Sequence, residues 1–216
     1  MKRIIYHGTP KEFDMPQFGL GNKNNDYGIG FYCTEDFNLA SEWSCRYSTF
    51  GFVNVYSIEE KDLKILDLAK NEYGLLNWLA LLLNNRDIGD SYKEEYKEEL
   101  AFINKYLIDL SPYDIIIGWR ADDAYYRFPK LFFENLLTYE ALEEIFHLGN
   151  LGTQYVLISP KAFSHLAFIK RKEAAFNSKK SYELRMSEAS SKLDKIIKND
   201  RRKVSPRLRD LVIKDA

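Results

Sequence analysis

The chain has 216 residues, 45% hydrophobic and 15% aromatic, a balance that supports a buried core and excludes an intrinsically disordered polypeptide. Lys and Arg (31) nearly cancel Asp and Glu (32), yet 15 of the former and 7 of the latter lie in residues 170–216, so an acidic body carries a basic tail. Two cysteines, Cys33 and Cys45, exclude a disulfide framework and a zinc site with paired ligands, and a reducing, cytoplasmic setting is expected.

Lys2-Arg3 is followed by too short an apolar run for a secretory signal, and the apolar patch from Leu75 to Leu83 is too short for a membrane span. Ile4-Ile5-Tyr6-His7, stopped by Gly8-Thr9-Pro10, predicts an opening strand with His7 at its end. Residues 16–25, rich in Gly and Asn and without period, predict a loop that lies over a pocket. Residues 26–34 predict a glycine-punctuated strand, and Phe37, Ala40 and Trp43 or Ser44 share the face of a following helix. Strands are expected over 51–58 and 64–68, and helices over about 73–83 and 92–107.

The β-branched run from Tyr113 to Gly118 predicts a buried strand leading into Asp122-Asp123, then helices through Phe133 and from Tyr139 to Phe146. Thr153 to Ser159 is the next strand, stopped by Pro160, with a last one at Ala167–Ile169. Beyond about Glu173, apolar residues keep a helical spacing, and Ser205-Pro206 reads as the cap and first position of a further helix. The expected division is a body over 1–173 and a basic helical extension over 174–216.

Gly28-Ile29-Gly30 has no third glycine opening a helix, so the dinucleotide fingerprint is missing, as is a P-loop. What stands out is a His at a strand end, a Gly-x-Gly-aromatic-Tyr segment behind a polar loop, and a Thr-Gln strand near the end of the body. Tyr6-His7-Gly8-Thr9, the segment Asp26 to Thr34 with Ala40 and Trp43 behind it, and Gln154 resemble the three motifs of the ADP-ribosyltransferase superfamily. The branch is the His-Tyr-Glu one of diphtheria toxin and poly-ADP-ribose polymerases, and the likeness extends to an uncharacterised bacterial domain family within it.

The resemblance covers roughly 1–169, with 60–112 matching in element order alone. It implies an α+β fold, a split β-sandwich of mainly antiparallel sheets around a NAD cleft, with helical insertions at about 70–110 and 128–148 and a helical C-terminal tail. It also implies that His7 bonds a ribose hydroxyl, that the strand backbone at His7 and Gly8 holds the carboxamide, and that Tyr32 stacks on nicotinamide. Thr9, Gly30, Phe31 and Trp43 complete the set it places around NAD; no metal is implied. Where the branch carries Glu to polarise the ribose 2′-hydroxyl, this chain has Gln154, a neutral group that bonds without neutralising a cation. Asp122 and Asp123 are the alternative carboxylates, as base or ribose ligand, or one of them as a helix cap.

The implied activity is mono-ADP-ribosyl transfer from NAD to a macromolecular acceptor, protein or nucleic acid, in a chain that resembles the toxin of a toxin-antitoxin pair with an antitoxin partner. The alternatives are a NAD glycohydrolase and a non-catalytic nucleotide- or ADP-ribose-binding module. An RNA 2′-phosphotransferase needs Arg and His residues that its motifs lack here. The basic tail suits either nucleic acid or, through its interleaved Leu and Ile, a protein surface.

Overall fold

The computed structural model describes residues 1–68, 70, 73–86, 97–121, 127–148, 152–200 and 204–213. Two sheets form. In the first, β1 (Lys2–Thr9), β3 (Phe50–Glu59) and β7 (Leu166–Ala175) lie in the order β1-β3-β7, all antiparallel. In the second, β2 (Phe31–Cys33), β6 (Thr153–Leu157), β5 (Ile115–Trp119) and β4 (Ile65–Asp67) lie in the order β2-β6-β5-β4; only the β4–β5 pair is parallel. The class is therefore α+β with mainly antiparallel strands, the class that the resemblance implies.

The central strands β3 and β6 are buried on nearly every residue because both faces of their sheets are covered. Between the sheets lie Ile5, Tyr56, Ile58 and Leu166 from one and Phe31, Cys33, Ile115, Tyr155 and Leu157 from the other. Each aliphatic or Phe side chain fully buried there contributes about 1.5–3 kcal/mol. Helix α1 (Phe37–Ser44) covers the outer face of the first sheet, where Tyr6 meets the Phe37 ring edge-on at 5.6 Å. Asp36 caps it, accepting from the Asn38 and Leu39 amides at 2.8 and 3.3 Å.

The outer face of the second sheet is covered by a helical layer. It comprises α2 (Leu75–Asn85), α3 (Lys97–Tyr106), α4 (Arg127–Phe133) and α5 (Tyr139–Leu148), joined by α7 (Ser178–Asp200) and α8 (Leu208–Ile213), with α6 (Pro160–Ser164) between β6 and β7. These are the helical insertions predicted between the strands.

Several local readings change. Residues 26–30 are a turn rather than the start of β2, because Gly28 sits at φ 73°, outside the extended region. Pro160 ends β6 by opening α6 at its first position, capped by Ser159, whose Oγ accepts from Ala162 N at 3.1 Å. The last strand runs ten residues, Leu166–Ala175, because β3 offers it a full-length partner.

The tail is tied to the body. Leu208 is fully buried in the helical-layer core, and Asp200 accepts hydrogen bonds from the Thr138 hydroxyl and amide. Ser205 does not cap α8, which begins at Leu208; its Oγ accepts instead from Glu140 N at 3.1 Å in the first turn of α5.

Candidate functional site

Among the described residues the two sheets touch main chain to main chain at one isolated bridge, Tyr6 with Thr34, through Tyr6 N to Thr34 O (2.8 Å) and Thr34 N to Tyr6 O (2.9 Å). In an antiparallel ladder the N–H and C=O of alternate residues turn to opposite sides. With Tyr6 turned away from β3, Gly8 is turned away as well, and the antiparallel register sets it opposite Tyr32. No ladder joins Gly8 to Tyr32, and none of the described residues pairs with the Gly8 N–H and C=O on that side. The result is a short strip of unpaired edge facing the second motif.

Helix α1 requires glycine here. A Cβ at Gly8 would collide with the Ala40 carbonyl oxygen and lie 2.8 Å from Ser44 N, so the helix backbone rests on the strand at that point.

His7 points away from α1, on the face of β1 that carries Ile5. Its ring lies 4.4 Å from Phe31 and 5.6 Å from Phe13, centroid to centroid, and its Nδ1 is 2.7 Å from Tyr32 O. A carbonyl accepts, so Nδ1 carries the proton and Nε2 is left as an acceptor. Burial pushes the imidazole pKa down to about 4, so the ring is neutral at pH 7.

Tyr32 projects to the opposite face of β2, against the helical-layer core. Its hydroxyl accepts from Tyr27 N at 3.0 Å and donates to Gly28 O at 2.8 Å, which holds the 26–30 turn in place. Burial raises its pKa, so it stays a phenol. The structure thus joins His7 to Tyr32 through the main chain; their side chains do not meet.

The other expected residues have definable roles. Thr9 is buried, with its hydroxyl engaged in a turn with Lys11 N and O at 3.1 and 3.2 Å. Gly30 lets the chain pass close to β6: a Cβ there would sit 2.7 Å from Val156 Cγ1. Phe31 is buried between the sheets under the His7 ring. Trp43, half-buried on α1, has the Arg120 guanidinium 5.5 Å from its ring centre, with Glu42 3.7 Å from Arg120 Nη2. Asp122 and Asp123 lie outside the described residues.

Gln154 is 7% exposed on β6, in register with Gly118 of β5. Its Nε2 donates to Asp26 Oδ2 at 3.0 Å, while its Oε1 is buried without a hydrogen-bond partner. Asp26, 1% exposed, also accepts from Ala121 N at 2.9 Å, and its Oδ1 lies 2.6 Å from Arg86 Nη2 as an ion-pair contact. Burial outweighs the lowering by Arg86, then by the Ala121 and Gln154 donors, and leaves the Asp26 pKa raised above the ordinary carboxylate value. Every partner is a donor, the environment of a carboxylate. The neighbouring residue of α2, Asn85, donates to Asp26 O at 3.3 Å.

Sequence reasoning places Asp26 in a motif without a role, and Arg86 and Asn85 nowhere. An Asp immediately before Tyr-Gly at a turn is the one available signal. Its cationic partner lies 60 residues away, beyond any local pattern.

The profile of a family described as a protein of unknown function (DUF3990) matches residues 3–168. The chain belongs to the DUF3990 family. Within this DUF3990 chain the matched span holds both sheets' contact at Tyr6–Thr34 and all of the residues described above, and it ends inside β7. No curated protein and no solved structure matches the chain. Among the described residues no helix is long and apolar enough to cross a membrane, and no group of three His, Cys, Asp or Glu residues is placed to hold a metal.

Proposed function

We propose that this chain is a NAD-dependent mono-ADP-ribosyltransferase with an ADP-ribosyltransferase-like split β-sandwich, moving ADP-ribose from NAD to a macromolecular acceptor. The observation that carries this reading is the splitting of the two sheets beyond the Tyr6–Thr34 bridge, which leaves the Gly8 main chain unpaired opposite Tyr32. A carboxamide needs one donor and one acceptor side by side, and a free strand edge offers that pair.

The neutral His7 ring adds an acceptor, Nε2, suited to a ribose hydroxyl. Under this reading the Tyr32 ring offers aromatic surface for the pyridinium cation, whereas Trp43 already faces the Arg120 guanidinium. Cleaving the glycosidic bond releases neutral nicotinamide and leaves a ribosyl cation, so holding NAD bent with its anomeric carbon open to a nucleophile does most of the work. Gln154 bonds without neutralising that cation, which predicts slow turnover unless the acceptor brings its own activation.

A second reading, a non-catalytic nucleotide-binding module, is favoured by one feature: the buried carboxylate nearest Gln154, Asp26, has its charge matched by Arg86 rather than free for a cation. Incubation with NAD labelled on the adenylate phosphate, together with cell protein and RNA, separates the readings. Labelled macromolecule, absent with His7→Ala and Tyr32→Ala, is the expected result and names the acceptor class. Free nicotinamide without label indicates a glycohydrolase. Stoichiometric NAD binding with neither product is the module, and no NAD binding at all overturns the nucleotide reading.

A further inference from the structure

The Gln154 side chain has two ends of opposite hydrogen-bonding character, and nothing in the glutamine itself decides which one faces a ligand. Asp26 decides it. A carboxylate ringed by Arg86, Ala121 N–H and Gln154 accepts and does not donate, so the end 3.0 Å from Oδ2 must be the NH2. Oε1 is thereby fixed as the end turned away from Asp26, and it is both closed to water and unpaired. A buried acceptor left unpaired destabilises the empty site by about 1–3 kcal/mol, which a ligand hydroxyl recovers.

We propose that Asp26 is a positioning residue that locks the Gln154 amide with its carbonyl oxygen toward the ligand, so that the site selects a ligand bearing a hydroxyl donor at that point. The proposal rests on the nucleotide reading above, under which the donor is the 2′-hydroxyl of the nicotinamide-side ribose. Arg86 and Asn85, from the C-terminal end of α2, hold Asp26 from behind, and Ala121 N–H holds it from the end of β5. The clamp is assembled from four separate chain segments, so the orientation of one amide is set by tertiary structure.

The test is calorimetric titration of the full chain with NAD and with an analogue lacking that 2′-hydroxyl. Wild type is expected to prefer NAD by about tenfold, the value of one recovered hydrogen bond. Asp26→Asn, which offers Gln154 a donor as readily as an acceptor and lets the amide turn, should cut the preference to about threefold or less, because either end then faces out. Where Asp26→Asn does not fold, Asp26→Asn with Arg86→Gln removes both charges and serves instead. A purely structural role lowers both affinities together and leaves their ratio intact.

A preserved ratio in the variants, or equal affinities in wild type, overturns the positioning role and leaves the nucleotide reading standing. Failure of wild type to bind NAD overturns that reading itself, and this inference with it.

Discussion

Replacing Gln154 by the glutamate that the resembling branch carries would ordinarily be expected to improve such a site; here the reverse follows from Asp26. The new carboxyl would sit where Nε2 now lies, 3.0 Å from Asp26 Oδ2, with both residues buried. Two charges at that separation repel by about 5 kcal/mol even at an effective dielectric of about 20. The introduced glutamate avoids this by staying protonated and donating its proton in place of the amide. The penalty is then capped at the cost of protonating a glutamate of ordinary pKa, about 4 kcal/mol at pH 7 and falling by about 1.4 kcal/mol per pH unit toward pH 5. Urea unfolding of wild type and Gln154→Glu at several pH values reads this directly. Gln154→Glu should be near wild-type stability at pH 5 and lose ground steadily as pH rises. On the proposed NAD reading it should release no more nicotinamide than wild type at pH 7, since the added group is neutral. Asp26→Asn combined with Gln154→Glu removes the repulsion, allows the glutamate to ionise beside Arg86, and should flatten the pH slope. A Gln154→Glu protein as stable as wild type at pH 8 would refute the placement of these two side chains against each other.

Other perturbations probe the junction. Gly8→Ala drives a methyl into the Ala40 carbonyl, whose backbone cannot yield like a side chain, and should destabilise by about 3 kcal/mol in thermal or urea unfolding. Tyr32→Phe keeps the ring and deletes the two hydrogen bonds to Tyr27 N and Gly28 O; a loss of about 2 kcal/mol is expected, with faster amide exchange confined to the 26–30 turn. His7 has a folded pKa depressed from 6.5 to about 4, so its contribution is complete above 6.5 and is lost as pH falls toward 4. The full difference is about 3 kcal/mol. His7→Gln should remove that part of the acid sensitivity, and an unchanged pH dependence between 6.5 and 4 would show that the imidazole is not buried neutral.

The sequence speaks clearly wherever information is local. Period and β-branching locate β1, β3, β5 and β6, and α1 follows from Phe37 and Ala40 on one face. It misreads residues 26–30, because glycines interrupting a strand and glycines making a turn look alike until Tyr32 closes hydrogen bonds onto Tyr27 and Gly28. It misreads Ser205 for a related reason: a hydroxyl ahead of a helix is a good cap by pattern, but the amide nearest to it belongs to Glu140. His7, Gly8, Tyr32 and Gln154 are readable as candidates because their motifs are compact. Their roles are not, since the tautomer of His7 depends on a carbonyl 25 residues away and the orientation of Gln154 on an aspartate 128 residues away.

These separations also explain why the helical layer is more than a cover. A carboxylate at the back of a sheet junction is tolerated only if its charge is met without water. The second sheet offers Asp26 two N–H donors, the Ala121 main chain just beyond β5 and the Gln154 side chain on β6, and neither carries charge. The cation has to come from outside the strands, and Arg86, which closes the C-terminal end of α2, provides it at 2.6 Å. The C-terminal end of a helix favours a positive group, and Asn85 beside it ties the same helix end to the Asp26 main chain. An α2 truncated before Asn85 would therefore leave a buried, uncompensated carboxylate and free the Gln154 amide to turn. The inserted helix and the third motif consequently form one electrostatic unit, and a change to either should be felt first in the stability of the other.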